Sequence, residues 1–443
     1  MAQSAPATGC DSENGVTDLA TDRWWARFDR WLNSPAGRRV LLSIFLVTAF
    51  VFSLLPVLRC FRGEKAIDYR IWYETGRQVL SGGEIYFVRK TDYDFIYPPT
   101  CALFFAGPSA LGKCGFILVL VLVTSIAWFV SARLAANLAA GDRAKPNTWL
   151  YLLPSFLLMV SIWSNYHLGQ PSLVLLALIL GAFVLLRAKN ELLAGALIAV
   201  AAAIKAFPVV LLIYLVYRKY WKAAASLVLT LVFLLLILPA PFRGGFERNW
   251  RDLEKWSAGM LKYNARGVGQ RPGRSLTWKN QSIVGVANRW LRPVDIEDTT
   301  PPDQPIYVNA TGLNFATVNT IIAAIALALG IAFLAVMPPK HMRTPETDAI
   351  EFALLLLLML MLTPLSYFYL FGWLILPCAV ITQRILAGGK TILWWGIAAY
   401  LAFSFALPFG RFAQAYGNFF FVALILFLGL SIELWRDKRR ATP

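Results

Sequence analysis

Apolar runs alternate with short polar segments along most of this chain. They occur at residues 40–59, 114–138, 149–164, 172–187, 191–204, 206–217, 223–240, 312–337, 350–364, 367–383, 391–408 and 419–435. A helix needs ~20 apolar residues to cross a bilayer, with a range of about 17–25, and most runs approach that length. The runs at 191–204 and 206–217 are short, so Lys205 between them marks either two non-ideal helices or one broken helix. The pattern predicts an all-α polytopic membrane protein with about twelve transmembrane helices.

The first long polar stretch, residues 61–111, contains an amphipathic segment of its own. Aromatic and apolar residues recur at helical spacing directly after Asp68, at Tyr69, Trp72, Tyr73, Gly76 and Leu80. The pair Gly82-Gly83 is typical of a helix end, and Tyr97-Pro98-Pro99 favours an extended turn. This composition predicts an interfacial helix that lies flat on the bilayer surface, with Asp68 at its start.

Composition agrees with a membrane protein and narrows its chemistry. The 443 residues are 58% hydrophobic with a mean hydropathy of +0.57, whereas a soluble domain is about 45–50% apolar. The net charge of +17 lies mostly at the ends of apolar runs and in residues 241–311. This placement suits membrane lipids and anionic substrates, and we expect no nucleic-acid partner. Five scattered cysteines without CxxC spacing and two histidines exclude a histidine-rich metal centre.

Basic residues at the ends of the apolar runs predict an orientation through the positive-inside rule. Those expected on the side of the N-terminus are Arg143, Lys145, Arg187, Lys189, Arg218, Lys219, Lys222, Lys340, Arg343, Arg384, Lys390 and Arg436 to Arg440. The opposite side receives residues 61–111, 165–171, 241–311, 364–369 and 409–418. We therefore expect a multi-pass protein of the inner or plasma membrane with both termini cytoplasmic. A disordered, basic segment at 1–39 precedes a transmembrane domain at 40–435 and a basic tail at 436–443.

Unusual polar residues collect on the predicted non-cytoplasmic side. They are Asp68, Asn165, His167, Gln170, Lys205, Arg266, Arg271, Arg274, Lys279, Asn280, Gln281 and Arg289. If they converge, one carboxylate and several cations share a polar cavity. Such a cavity can break a bond to a phosphate, because the cations stabilise the leaving group while the carboxylate accepts a proton from an incoming hydroxyl.

Each of these residues also has a structural interpretation. Asp68 could be the N-cap of its helix, and His167 could be an ordinary loop histidine. Lys205 could extend its ammonium group to the membrane interface or form a structural ion pair, although a lysine between apolar runs is a functional-site candidate by default. The arginines of residues 241–311 could contact lipid headgroups.

Several stretches together resemble a known family. They are Asp68-Tyr69 with Phe95-Ile96-Tyr97-Pro98-Pro99, Asn165 with Gly169-Gln170, Ala201 to Pro208 followed by Arg218 to Ala223, Asn280-Gln281-Ser282, and Thr363-Pro364-Leu365-Ser366. Their order and spacing over roughly residues 65–370 resemble those of the motifs in glycosyltransferase family 87. This family includes polyprenyl-phosphate-mannose-dependent mannosyltransferases.

The resemblance implies a C-type glycosyltransferase bundle whose active site faces away from the cytoplasm. It also implies a polyprenyl-monophosphate sugar donor, a lipid or glycan acceptor, inversion at the anomeric carbon, and neither a nucleotide sugar nor a metal cofactor. Asp68 would be the base, and Lys205 with Arg266, Arg271, Arg274 or Arg289 would hold the donor phosphate. We also expect the substrate to contact Tyr97, Asn165, His167, Gln170, Lys279, Asn280 and Gln281. Family members carry a histidine shortly after Pro-x-Ser, whereas this chain has Pro364-Leu365-Ser366-Tyr367-Phe368-Tyr369, so Tyr369 is the candidate substitute.

Two other classes compete with this interpretation. A transporter or lipid flippase would also place charges in a polar cavity, but it needs gates on both faces, and the internal repeat of many transporters is missing. A structural or assembly protein would need neither a buried Lys205 nor so dense a first loop.

Overall fold

The computed structural model describes residues 14–64, 67–86, 95–142, 145–264, 275–297, 305–388, 396 and 410–440. Within these ranges the regular structure is helical, and no strand occurs in them. The α-helices are α1 (Asn14–Asn33), α2 (Pro35–Phe61), α3 (Ile67–Leu80), α4 (Pro99–Ser109), α5 (Gly112–Ala140), α6 (Trp149–Leu157), α7 (Met159–Leu168), α8 (Ser172–Arg187), α9 (Glu191–Ile204), α10 (Leu211–Tyr217), α11 (Trp221–Val232), α12 (Phe246–Asn264), α13 (Ile283–Leu291), α14 (Phe315–Val336), α15 (Pro345–Leu362), α16 (Ile375–Leu386), α17 (Gly410–Ala415) and α18 (Asn418–Arg440). The predicted all-α polytopic architecture is confirmed.

Six helical segments of the described chain are long and apolar enough to cross a membrane by themselves. They are Pro35–Phe61, Gly112–Ala140, Trp221–Arg243, Phe315–Val336, Phe368–Leu386 and Asn418–Arg440. Two other predicted spans are interrupted. The run at 149–164 is divided at Leu158 between α6 and α7, and the run at 206–217 is divided between a 3-10 turn and α10. The predicted span at 391–408 lies outside the described residues, apart from position 396.

The chain forms two compact units, residues 1–50 and 51–443. In the first unit, α1 begins at Asn14, inside the stretch for which the sequence had predicted disorder. Trp24, Trp25 and Trp31 are exposed on this helix. The second unit contains every candidate site residue.

Polar contacts in the second unit include residues that the charge pattern had assigned to opposite sides of the membrane. At one end, Arg187 donates to the Leu138 carbonyl, Arg218 pairs with Glu351, and Arg384 pairs with Asp437. At the other end, a disulfide joins Cys60 to Cys114, Gln170 bonds Asp68, and Asn165 bonds Tyr369. The helices therefore present two separate polar ends.

The helix predicted after Asp68 is present as α3, but its aromatic face was assigned to the wrong environment. Tyr69 and Trp72 are each 2% exposed, so they pack inside the protein instead of lying on a bilayer surface. Gly76 permits close contact with α4, because a Cβ there would lie 2.5 Å from the Phe105 carbonyl oxygen. Helical spacing identifies an apolar face, but it cannot distinguish a lipid neighbour from a protein neighbour.

Candidate active site

Asp68 lies in the first turn of α3, which begins at Ile67, so it is not the N-cap of that helix. Its side chain is half-buried, and Gln170 Nε2 donates to Asp68 Oδ2 at 2.5 Å. A carboxylate in a first helical turn is favoured by the positive end of the helix dipole. Asp68 is therefore held in an oriented position at a polar end of the protein.

Two further hydrogen bonds attach α3 to the turn that contains Gln170. Tyr69 donates its hydroxyl to the Tyr166 carbonyl at 2.7 Å, and Trp72 Nε1 donates to the Gly169 carbonyl at 2.9 Å. Gly169 ends α7 in the left-handed conformation, with φ 77°. Its backbone approaches the Tyr69 ring so closely that a Cβ there would lie 2.8 Å from a ring carbon. These contacts fix Asp68 and Gln170 against each other.

Lys205 ends α9 in an extended conformation, with φ −147° and ψ 117°, and the next turn is a 3-10 helix. The predicted interruption of the apolar run at Lys205 is confirmed. Three rings surround the ammonium group, with centroids at 5.7 Å for Tyr97, 5.8 Å for Phe207 and 5.3 Å for Tyr369. Lys205 Nζ also donates to the Tyr369 hydroxyl at 3.4 Å. The rings stabilise the positive charge of Lys205 in a half-buried position.

Tyr369 is itself fixed by the segment that bears Gln170. Asn165 Nδ2 donates to the Tyr369 carbonyl at 3.0 Å, and Ser172 donates its hydroxyl to the same carbonyl at 3.3 Å. Asp68, held by Gln170, and Lys205, held by Tyr369, are therefore attached to the same short stretch, residues 165–172. We call Asp68, Gln170, Lys205, Tyr97 and Tyr369 the Asp68–Lys205 cluster. Asn165 Oδ1 and Gln170 Oε1 are buried and make no hydrogen bond to the described residues.

Three predicted site residues, Arg289, Asn280 and Gln281, donate their side-chain hydrogen bonds to backbone carbonyls. Arg289 is fully buried and donates to the backbone carbonyls of Ala415, Thr277 and Gln414. Burial lowers the pKa of Arg289 to about 9. Because its donors are occupied by backbone oxygens, the structure does not place Arg289 with Lys205, and its sequence-based assignment to the donor phosphate is not supported.

Asn280 and Gln281 also tie chain segments together. Asn280 Nδ2 donates to the carbonyls of Ser275 and Pro364, and Gln281 Nε2 donates to those of Trp278 and Gln414. Both residues are fully buried. Lys279 is exposed, with its ammonium group 5.3 Å from the Trp278 ring. The predicted convergence of Lys279, Asn280 and Gln281 with Asp68 stays a prediction.

The remaining predicted residues divide into two groups. Arg266, Arg271 and Arg274 lie outside the described residues. His167 lies in the last turn of α7, where it contacts Arg59. Among the described residues, no group of three or more His, Cys, Asp or Glu side chains could hold a metal ion.

Two features of this end were missed by the sequence interpretation. The Cys60–Cys114 disulfide closes the segment that contains α3 and α4. Arg59, which contacts His167, precedes Cys60. A cysteine at each border of residues 61–111 was the available signal for the disulfide, while nothing in the spacing pointed to Arg59.

The Asp68–Lys205 cluster combines an oriented carboxylate with a partly shielded cation. The carboxylate can accept a proton from a hydroxyl, and the cation can stabilise an anion that forms beside it. These abilities suit a displacement reaction with a negatively charged leaving group.

Comparison with known proteins agrees with this chemistry. Residues 95–364 match the model of glycosyltransferase family 87, a segment that begins after Asp68. The chain is also 23% identical over 340 residues to the polyprenol-phosphate-mannose-dependent alpha-(1-2)-phosphatidylinositol mannoside mannosyltransferase of Mycolicibacterium smegmatis, covering 74% of this chain and 70% of that protein. No solved structure matches. The matched segment covers more than half of the chain, and the protein belongs to glycosyltransferase family 87, as a membrane glycosyltransferase.

Proposed function

We propose that this enzyme transfers a hexose, mannose in the first instance, from a polyprenyl-monophosphate donor to a hydroxyl of a lipid or glycan acceptor. The observation that carries the proposal is the attachment of Asp68 and Lys205 to the same stretch, through Gln170 and Tyr369. The choice of donor rests on the mycobacterial relative, which is a polyprenol-phosphate-mannose-dependent mannosyltransferase. Membership of a glycosyltransferase family favours sugar transfer over the transporter interpretation.

The proposed reaction is a single displacement. Asp68 accepts the proton of the acceptor hydroxyl while the hydroxyl oxygen attacks the anomeric carbon of the donor sugar. The bond between that carbon and the phosphate oxygen breaks, and polyprenyl phosphate leaves with the electron pair. Lys205 stabilises the charge of the leaving phosphate. Because one displacement occurs at the anomeric carbon, its configuration inverts.

The reaction is proposed to take place on the extracytoplasmic face. The Cys60–Cys114 disulfide lies at the same polar end as Asp68, and disulfides persist in oxidising compartments. The basic residues at the opposite end, among them Arg187, Arg218 and Arg384, agree with a cytoplasmic location for that end. This orientation leaves both termini cytoplasmic, with residues 40–435 forming the transmembrane glycosyltransferase domain between the basic terminal segments.

The decisive experiment is single-turnover transfer by purified Asp68→Asn protein with polyprenyl-phosphate mannose as donor and a membrane lipid extract as acceptor. Asparagine is nearly isosteric and still accepts the Gln170 hydrogen bond, but it cannot serve as a base. We expect turnover to fall by about 10²–10⁴-fold, the usual contribution of a positioned base. Thermal stability should stay close to that of the unchanged protein.

Glu74→Gln is the matched control, because Glu74 is a half-buried carboxylate on the same helix without a described contact to Gln170. Its turnover should be retained. Full activity of a folded Asp68→Asn protein would refute Asp68 as the base, and loss of activity in Glu74→Gln alone would move that role to Glu74.

A further inference from the structure

His167 is held from two directions in the last turn of α7. Its ring stacks on Trp163, with centroids 4.8 Å apart and an interplanar angle of 19°. Its Nδ1 lies 3.3 Å from Nη1 of Arg59 at the end of α2. The two neighbours together determine both the plane of the imidazole and the direction of its nitrogens.

The contact with Arg59 also determines where the proton of the imidazole resides. A guanidinium has hydrogen-bond donors and no acceptor, so Nδ1 of His167 must accept and the ring proton must be on Nε2. Burial and the positive charge of Arg59 lower the pKa of His167 below the ordinary histidine value. The lowered pKa favours the neutral ring, whose single N–H is then on Nε2.

That Nε2–H has no hydrogen-bond partner among the described residues, although the side chain is only half-buried. The residue itself lies between Tyr166, which accepts from Tyr69, and Gln170, which donates to Asp68. An available donor thus lies within three residues of the group that holds Asp68.

The charged surroundings of this donor are simple. Arg59 lies 3.8 Å from Glu64, which also lies 3.9 Å from Arg62. The other ionisable groups on the elements packed against α7 are Asp68, Tyr69, Arg70, Tyr73, Glu74, Arg77, Lys113, Arg133, Tyr151, Arg187 and Tyr369. Among all of these, Arg59 alone makes direct contact with the imidazole in the described part of the chain.

We propose that Arg59 is a positioning residue: it holds His167 in the neutral Nε2–H tautomer, and that N–H donates a hydrogen bond to a hydroxyl or phosphoryl oxygen of a lipid-linked substrate. The proposal rests on the proposed function for the substrate class. The tautomer itself can be measured without any transfer reaction. The role of Arg59 and the proposed transfer reaction can therefore be refuted independently of each other.

The first measurement is direct, because the chain contains two histidines, His167 and His341. Nitrogen-15 NMR of histidine-labelled His341→Gln protein in nanodiscs reports His167 alone. We expect the Nε2–H tautomer at pH 7 and a titration midpoint below the ordinary value. In Arg59→Met, which keeps the aliphatic stem but removes the donor, the midpoint should move upward and the two neutral tautomers should mix. A protonated Nδ1 in the otherwise unchanged protein would overturn the proposal.

The second measurement uses transfer kinetics. His167→Phe keeps a ring on Trp163 but removes the N–H, and we expect kcat/KM to fall roughly tenfold, the effect of one neutral hydrogen bond. The decrease should appear in the apparent KM for polyprenyl-phosphate mannose if the accepting oxygen belongs to the donor, and in the KM for the acceptor if it belongs there. Unchanged kinetics with both substrates would refute the hydrogen bond.

The third measurement connects the two residues. Arg59→Met should lower kcat/KM at neutral pH, because part of the neutral imidazole then carries its proton on Nδ1 and lacks the Nε2 donor, whereas Arg59→Lys, which keeps a cationic donor, should restore most of the original rate. The double variant Arg59→Met/His167→Phe should be no slower than His167→Phe, because both changes remove the same hydrogen bond. Arg62→Met is the control, since Arg62 is exposed and contacts Glu64 without touching His167. Strictly additive losses, or an equal loss with Arg62→Met, would contradict the role of Arg59.

Discussion

At the scale of single residues, Lys205 shows how a cation can be retained between apolar segments. Three aromatic rings and the Tyr369 hydroxyl surround its ammonium group. The rings stabilise the charge without neutralising it, so the lysine can still attract an anion.

The first prediction concerns that charge. Lys205→Met keeps the apolar stem among the rings and removes the ammonium group. We expect the apparent affinity for polyprenyl-phosphate mannose to weaken by roughly 10- to 100-fold, as for the loss of a hydrogen bond to a charged group. Transfer measured over a range of donor concentrations tests this expectation.

Lys222→Met is the matched control, because Lys222 is an exposed lysine assigned to the opposite end of the protein. Its donor affinity should not change. A Lys205→Met protein with normal donor affinity would exclude Lys205 from the phosphate site.

The second prediction concerns Gly169. Gly169→Ala must both occupy a left-handed conformation and displace the Tyr69 ring, which an added Cβ would approach to 2.8 Å. Gly112→Ala isolates the conformational cost of about 1–2 kcal/mol, because Gly112 has a φ of 76° and no atom within 4 Å of an added Cβ. We expect Gly169→Ala to lower turnover as well as thermal stability, and Gly112→Ala to lower stability alone. Equal turnover in the two variants would show that the Tyr69 contact does not position Asp68.

At the scale of elements, two chain segments are linked at both of their ends. One segment runs from Lys205 through α10 to Arg218, and the other runs from Glu351 through α15 to Tyr369. Lys205 bonds Tyr369 at one end, and Arg218 pairs with Glu351 at the other. Tyr214 also donates to Glu351, at 2.5 Å. The paired ends limit how far Lys205 can move relative to Tyr369.

The third prediction tests the buried ion pair between Arg218 and Glu351. Glu351 is fully buried and the Arg218 side chain is 8% exposed, so Glu351→Gln leaves an almost buried cation without its counter-charge. We expect a loss of about 3–5 kcal/mol in the free energy of unfolding. Arg218→Met/Glu351→Leu should recover much of that loss, because an apolar pair removes the buried charge together with its partner. Glu247→Gln is the control, since Glu247 and Arg251 form an exposed pair, and it should cost less than about 1 kcal/mol. Similar losses for Glu351→Gln and Glu247→Gln in thermal unfolding would contradict this account.

At the scale of the whole molecule, the Cys60–Cys114 disulfide connects the end of α2 to the start of α5. The segment between them, 54 positions from cysteine to cysteine, contains α3, α4 and Asp68. Closing this segment reduces the freedom of the unfolded chain, which commonly stabilises a protein by roughly 2–4 kcal/mol. It also keeps α3 close to the helices that surround the Asp68–Lys205 cluster.

The fourth prediction is a count of thiols. Protein denatured in an alkylating reagent without reductant should label three of the five cysteines, Cys10, Cys101 and Cys378, and reduction should expose Cys60 and Cys114. Mass spectrometry with two isotopic alkylating reagents distinguishes the two sets. Cys60→Ser and Cys114→Ser should each lower the thermal midpoint, and the double variant should be no worse than either one. Five thiols labelled before reduction would refute the disulfide, and with it one argument for the extracytoplasmic face.

The local pattern of the sequence was sufficient for much of the architecture. It predicted the all-α polytopic class, the helix that follows Asp68 and the interruption at Lys205, because these depend on the length and spacing of apolar runs and on nearby Gly and Pro residues. The order of short motifs also indicated the family to which the chain belongs.

Contacts between distant residues had to come from the three-dimensional arrangement. Spacing along the chain could not show that Arg289 donates to backbone carbonyls, that Tyr69 and Trp72 face protein, or that Arg59 meets His167 across 108 positions. The physical reason is that lipid and protein interior are both apolar, so an apolar face does not reveal its neighbour. Which polar groups satisfy one another is determined by how the helices pack, and that packing brings Asp68 and Lys205 to the same stretch of chain.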